Sequence, residues 1–249
     1  MTFPARELLK NWDQQQSAYI AHREARYSAA LEVLAMSYGE AFHAVDLACG
    51  PGSFSLRILQ RFPAATVTAI DLDPLLLTLA KEALSEYQER IQFLSGDIAA
   101  ADCFAAIADR PQAVVSSTAI HWLLPEQQVA LYRNVFNLLD DGGMFINADH
   151  QRFDQRSPRQ TLLARTHDDS TQEKAWAAGV QDWDGWFAAA SRYPELAAQL
   201  DARAAVFTDR PTPLATTVEF QLAALRQAGF TETGTLWQFL DDYIVAGWK

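Results

Sequence analysis

The chain has 249 residues, 49% of them hydrophobic and 11% aromatic, which suits one domain with a substantial core. Its 20 Lys and Arg against 31 Asp and Glu leave a formal charge of −11, which argues against a nucleic-acid partner. No apolar run reaches about 18 residues and Met1-Thr2-Phe3-Pro4-Ala5-Arg6-Glu7 is no secretory n-region, so a soluble, cytoplasmic protein without membrane contact is expected. Residues 5–37 read as helical, with Tyr27, Leu31 and Leu34 as a core stripe and Trp12, Gln16, Tyr19 and Arg23 sharing another face. A strand at 44–48 leads into a helix at 53–62. Thr66 to Ile70 is short and β-branched, hence a buried strand ending at Asp71. Asp73-Pro74 supplies an N-cap acid and an N1 proline, the clearest helix start in the chain. Further strands are expected at 91–94, 112–116 and 144–147, with helices filling the gaps between them, including 125–139. That alternation implies right-handed crossovers and a parallel sheet covered on both faces. Cys49 at a strand end and Cys103 in an expected helix lack metal-ligand spacing and read as free thiols of a reducing compartment.

The last forty residues break the rhythm. A helix at 218–228 ends at Gly229, and two strands, 230–239 and 243–248, are joined by Leu240-Asp241-Asp242. So short a connection requires an antiparallel pair. Between the fifth strand and this finish, residues 150–213 read as an inserted helical cap rich in Trp176, Trp183, Trp186, Phe187 and Tyr193.

The most informative run is 45–55, Val-Asp-Leu-Ala-Cys-Gly-Pro-Gly-Ser-Phe-Ser. It reads as a strand, a tight glycine turn and a helix N-terminus. Gly50 and Gly52 let backbone approach a ligand, and the exposed N–H groups of the first helical turn favour an electron-rich group. Such a unit cradles a nucleotide-like cofactor. A nicotinamide dehydrogenase shares Gly-x-Gly and an acid about 20 residues on. Against it, Ser55 stands at the third glycine position, no second βαβαβ half follows, and the ending is a helix and hairpin.

Five segments, in order, resemble the class I S-adenosylmethionine-dependent methyltransferases of small-molecule type, related to trans-aconitate methyltransferase-like enzymes. They are Asp46-Leu47-Ala48-Cys49-Gly50-Pro51-Gly52, Ala69-Ile70-Asp71-Leu72-Asp73-Pro74, Leu94-Ser95-Gly96-Asp97-Ile98, Ser116-Ser117-Thr118-Ala119-Ile120-His121-Trp122 and Leu138 to Phe145. The resemblance implies a Rossmann-like seven-stranded mixed sheet, α/β in class, with an N-terminal helical lid (1–40), a cofactor core (41–149), the cap and a C-terminal helix and hairpin (214–249). It implies S-adenosylmethionine as cofactor, with Asp71 on the ribose hydroxyls, Leu72 on the adenine ring, Asp97 on its exocyclic amine and the Ile98 N–H on the ring. Gly50 and Gly52 pass the methionine part, Asp46 acts through water or holds the loop, and Ser117 lies at the fourth-strand motif. Ala48 departs from the family by replacing the first of three glycines, where only a slight tightening of the turn is expected. Tyr19 and Arg23 belong to the lid and can reach the cofactor carboxylate.

The expected reaction is methyl transfer to a small-molecule acceptor whose attacking atom the sequence leaves open. Amine or thiolate acceptors need little beyond positioning, whereas a hydroxyl or carbon acid needs a base. His121 and His150, at carboxyl ends of parallel strands, are the candidate bases. His22, His43 and His167 read as solvated. No His/Asp/Glu cluster has metal spacing, so no metal is expected. The alternatives are a non-catalytic binder of the same cofactor, an enzyme that modifies that cofactor, and a nicotinamide-dependent oxidoreductase. The oligomeric state stays open.

Overall fold

A computed structural model describes residues 3–249; Met1 and Thr2 of the opening segment lie outside the described residues. Seven strands form one sheet in the order β3-β2-β1-β4-β5-β7-β6: β1 His43–Leu47, β2 Thr66–Asp71, β3 Ile91–Ser95, β4 Ala113–Ser117, β5 Met144–His150, β6 Glu232–Phe239 and β7 Asp242–Trp248. The first five pair in parallel, and β7 runs antiparallel to both β5 and β6. This is the mixed Rossmann-like sheet the sequence predicts. The order reverses between β1 and β4, so the carboxyl ends of those strands open the crevice where such sheets hold ligands.

Two apolar layers cover the sheet. Val67, Ala69, Val115, Ile146 and Ile244 face α2 (Arg23–Tyr38), α3 (Ser53–Arg61) and α4 (Pro74–Ala83). Val45, Leu47, Val114, Phe145 and Val245 face α5 (Pro125–Leu138) and α10 (Val218–Ala228). Asp73 caps α4 as expected, its carboxylate accepting from the Leu75 and Leu76 N–H groups, and Pro74 follows at N1. Gly229, at φ +118°, ends α10.

Three expectations change. The single N-terminal helix is two, α1 (Ala5–Tyr19) and α2, broken where Ile20 turns extended and fully inward and His22 takes φ +60°. Arg23 therefore does not continue the Trp12 face. The β3–β4 connection is not helical: residues 96–112 run as turns closed by three-residue bonds such as Ala100 N–H to Asp97 C=O and Ala105 N–H to Asp102 C=O. Asp97 also accepts from the Ala99 N–H, a local bond that competes with helix, and Cys103 sits within these turns. His43 is half-buried rather than solvated, with Nε2 at 3.0 Å from Thr68 Oγ1.

The cap comprises α6 (Pro158–Ala177), α7 (Trp183–Ala190), α8 (Pro194–Ala197) and α9 (Leu200–Phe207). Ala164, Trp186, Ala190 and Leu196 anchor it. Trp186 is wholly buried and donates from Nε1 to the Leu8 carbonyl at 3.1 Å, tying α7 to α1. Trp12 packs edge-on against it at 4.8 Å and also meets Trp183 at 5.4 Å. The cap indoles thus serve chiefly to join lid and cap. Trp186→Ala is expected to cost about 3–5 kcal/mol of stability, read from the denaturant midpoint, because it opens a cavity and removes the indole bond to α1.

Candidate functional site

The turn after β1 is built from alternating left-handed residues: Ala48 at φ +52°, Gly50 at +56° and Gly52 at +90°. Ala48 does more than tighten the bend. A Cβ in that region costs roughly 1–2 kcal/mol, so the surroundings hold the turn in place. Gly50 donates its N–H to Asp71 Oδ2 at 2.6 Å, while Asp71 Oδ1 accepts from the Asp73 N–H at 2.7 Å. The tip of β2 is thereby laced to the glycine turn. Asp46 clamps the other side, one oxygen accepting from both the Ser55 N–H (3.0 Å) and the Ser55 hydroxyl (2.6 Å). A side chain at Gly50 would meet nothing nearer than Trp12 at 3.9 Å, whereas one at Gly52 would strike Leu84 at 3.0 Å. At Gly50 a Cβ would make only ordinary contacts with Trp12 and Leu76, so its positive φ is what favours glycine; Gly52 is needed for packing as well.

The lid reaches this turn through a residue that the sequence reading passed over. Asp13 of α1 accepts from the Ser53 hydroxyl at 2.6 Å, from Arg23 at 2.7 Å and from Arg57 at 3.1 Å. Burial opposes its charge, but the two guanidiniums hold its carboxyl below the ordinary range. Arg23 is buried and stacks over Tyr27, and its Nε has no hydrogen-bond partner; neither has the buried Gln15 Nε2. Tyr19 turns elsewhere, its hydroxyl accepting from the Trp183 N–H and its ring meeting Trp176.

The loops after β2 and β3 carry the other rim groups. Leu72 is half-buried, and Ile98 is buried against the α5 side of the sheet. Asp97 Oδ2 accepts from Arg210 at 2.5 Å, and Asp73 Oδ2 accepts from Arg203 at 2.7 Å. Both arginines come from the cap side, more than a hundred residues away in the chain.

At the ends of β4, β5 and β7 lies a second cluster. His121 Nδ1 is 2.6 Å from Asp149 Oδ1, and its N–H donates to Oδ2 at 3.0 Å. His150 Nδ1 lies 2.8 Å from Asp242 Oδ1 but out of hydrogen-bond alignment. The two imidazoles are 5.7 Å apart. Arg26, buried in α2, donates to Thr118 Oγ1 at 2.7 Å and to Asp242 at 3.2 Å. Burial alone raises Asp149, but His121, His150 and Arg26 together hold its carboxyl well below the usual range. Ser117 ends β4 half-buried, with its hydroxyl 3.3 Å from that of Thr118. Among the described residues no group of three or more His, Cys, Asp or Glu could hold a metal ion, and no helix is long and apolar enough to cross a membrane.

Residues 44–143 match the model of a methyltransferase domain. The chain thus carries a methyltransferase domain over these residues and is similar to S-adenosylmethionine-dependent methyltransferases. It is 25% identical over 204 residues to a carboxy-S-adenosyl-L-methionine synthase of Chromohalobacter salexigens, covering 80% of this chain and 65% of that protein. It is 30% identical over 171 residues to a trans-aconitate 2-methyltransferase of Rhizobium meliloti, covering 67% of this chain and 60% of the relative. The match thus spans less than two thirds of either relative. Human N-acetylserotonin methyltransferase, solved with SAM, shares the fold at a TM-score of 0.57 and 16% identity, covering 99% of this chain and 60% of the human one. Within the methyltransferase domain, the matched segment holds the glycine turn, Asp71, Asp97 and His121, while Arg23, Arg26 and Asp149 lie outside it.

The buried acids make the site pH-sensitive. Burial pushes Asp46 up to about 7, against the pull of the two Ser55 donors, and Asp71 up to about 6. The folded chain holds the Asp46 proton more tightly than the unfolded chain, so stability falls as pH rises from the ordinary carboxylate range towards 7. Asn can accept both Ser55 bonds on its single carbonyl oxygen. Asp46→Asn should therefore melt above the wild type near pH 8, and the gap should close by about pH 4. A gap that does not change with pH would show that Asp46 carries no such cost.

Proposed function

We propose that the chain transfers the methyl group of S-adenosylmethionine to a small-molecule acceptor. One observation carries this reading: a bare left-handed peptide bend at Gly50, bonded to the strand-tip carboxylate of Asp71, inside the matched segment. The residues fit the cofactor. A Cβ at Gly50 would meet no backbone and only the Trp12 and Leu76 side chains, at 3.9 and 4.0 Å, and the lid carries buried donors, Gln15 Nε2 and Arg23 Nε, that lack an acceptor such as an amino-acid carboxylate. Each Asp71 oxygen has a lone pair left for the ribose hydroxyls beyond its backbone bond. Leu72 and the Ile98 N–H flank the adenine, Asp97 takes its amine, and Ala48, Gly50, Gly52 and Ser117 border the methionine part. Asp46 acts on the turn by holding Ser55, and Tyr19 by holding the lid to the cap.

When bound, the cofactor supplies a methyl group on a sulfonium whose leaving group is neutral. The protein's task is then to position the acceptor and keep water out. Asp149 fixes the His121 ring through Nδ1, which leaves Nε2 as a base for a hydroxyl or carbon acid. His150, beside it, is the second polar wall of the acceptor space. The −11 charge and the covering lid and cap favour a small metabolite over a nucleic acid. The two free thiols, Cys49 and Cys103, suit a cytoplasmic setting. The layout of lid, core, cap and C-terminal hairpin is read as one functional unit.

Calorimetric titration with S-adenosylmethionine and with NADH tests the cofactor. The sulfonium nucleoside should bind and NADH should not, and Asp71→Ala should weaken binding about 10- to 100-fold, the worth of charge-assisted hydrogen bonds. Binding of NADH alone would sink the reading. A second reading, modification of the cofactor itself, draws on the synthase relative that aligns over 80% of the chain. Mass spectrometry of the spent nucleoside separates the two, since methyl transfer leaves S-adenosylhomocysteine and modification leaves a larger sulfonium. On an acceptor that needs a base, His121→Ala and Asp149→Asn should each lower kcat about 10²- to 10⁴-fold while leaving cofactor affinity in place. Unchanged kcat in both would remove the base role.

A further inference from the structure

The end of the cap is held unlike the rest of it. The helices α7 and α8 are rooted by Trp186, Ala190 and Leu196, but α9 buries no residue at all. It continues into residues 208–217, an extended and mostly exposed stretch with Pro211 and Pro213, before α10 begins. Thr216 fastens the far end of that stretch, accepting from Gln221 Nε2 at 2.9 Å, whereas α9 and the residues up to Arg210 are held to the body by ion pairs. Arg203 donates from Nε to Asp73 Oδ2 at 2.7 Å, with its guanidinium 4.0 Å over the Phe187 ring. Arg210, just past α9, donates to Asp97 Oδ2 at 2.5 Å and from Nε to the Val206 carbonyl.

The two acids stand in the two loops, after β2 and after β3, that border the adenosine end of the proposed cofactor site. Both Asp97 oxygens are engaged, Oδ1 by the Ala99 N–H and Oδ2 by Arg210. A nucleoside amine that takes Asp97 as its acceptor must compete with that guanidinium. We propose that α9 and the following residues to Arg210 form a gate over the adenosine end of the cleft, latched by Arg203–Asp73 and Arg210–Asp97, and that nucleoside binding displaces Arg210 from Asp97. This rests on the cofactor reading above. The Arg210–Asp97 pair is about one-third exposed on each side, so it is the weak latch, whereas Asp73 is almost wholly buried. Release therefore begins at Arg210 and pivots on the Leu196 anchor.

S-adenosylhomocysteine is the probe of choice, because it lacks the sulfonium charge that the acidic protein attracts in its own right. Surface plasmon resonance on the immobilised full chain should show Arg210→Gln associating about 2- to 5-fold faster than wild type, the size of a partly exposed ion pair, with affinity kept or improved. Hydrogen exchange should rise across 200–210 in ligand-free Arg210→Gln, and rise there in the wild type when S-adenosylhomocysteine binds. Arg210 is a surface side chain, so the variant folds. Equal association rates, or weaker binding by Arg210→Gln, would overturn the gate while leaving the cofactor reading intact. Failure of both proteins to bind would overturn the cofactor reading and the gate with it.

Discussion

The bond on which the site depends is the one from the Gly50 N–H to the Asp71 carboxylate. It joins the turn after β1 to the tip of β2, two strands already paired from His43↔Thr66 to Leu47↔Ile70. The turn must hold Ala48, Gly50 and Gly52 in left-handed conformations, and an isolated peptide would not stay so. Asp71 fixes it from one side, and Asp46, through Ser55, from the other. Two buried carboxylates thus accept from backbone and hydroxyl donors on either side of the turn, which keeps a strained bend rigid. In the proposed cofactor role this rigidity keeps the bend aligned with the rim acid.

A second constraint comes from α2. Arg23, Arg26 and Tyr27 lie three and four residues apart, on one face. Arg23 reaches the Asp13 node, which holds Ser53 at the start of α3, and Arg26 reaches Thr118 and Asp242 near the histidines. One helix therefore sets the spacing between the glycine turn and the polar cluster at the strand ends. Both arginines are buried; loss of Arg26 would leave the buried Asp242 without its guanidinium, whereas Asp13 keeps Arg57 if Arg23 is lost.

Much of this was legible in the residues. Short β-branched runs marked the strands, Asp73-Pro74 marked the start of α4, and the close spacing of β6 and β7 required an antiparallel ending. The glycine turn and the strand-tip acid were visible because local chain geometry demands those residue types. Other features had no local signature. The break at Ile20–His22 falls in a stretch whose composition suits an unbroken helix, and the left-handed His22 is a choice of tertiary packing. The turns at 96–112 arise where Asp97 and Asp102 draw their neighbours into short bonds that helix periodicity does not reveal. Pairs such as Arg26–Asp242 or Arg203–Asp73 join residues far apart in sequence. Only the folded chain brings them together. His121 could be named from its place after β4, but its partner Asp149 could not.

The indole cluster between lid and cap has an optical consequence. Trp12 and Trp186 are nearly or wholly shielded from water, while Trp183, 5.4 Å from Trp12, is 39% exposed. These neighbouring fluorophores sit at one junction in environments of different polarity. Any rearrangement of lid against cap will shift the colour and yield of their emission, so the native chain reports its own movement without an attached dye.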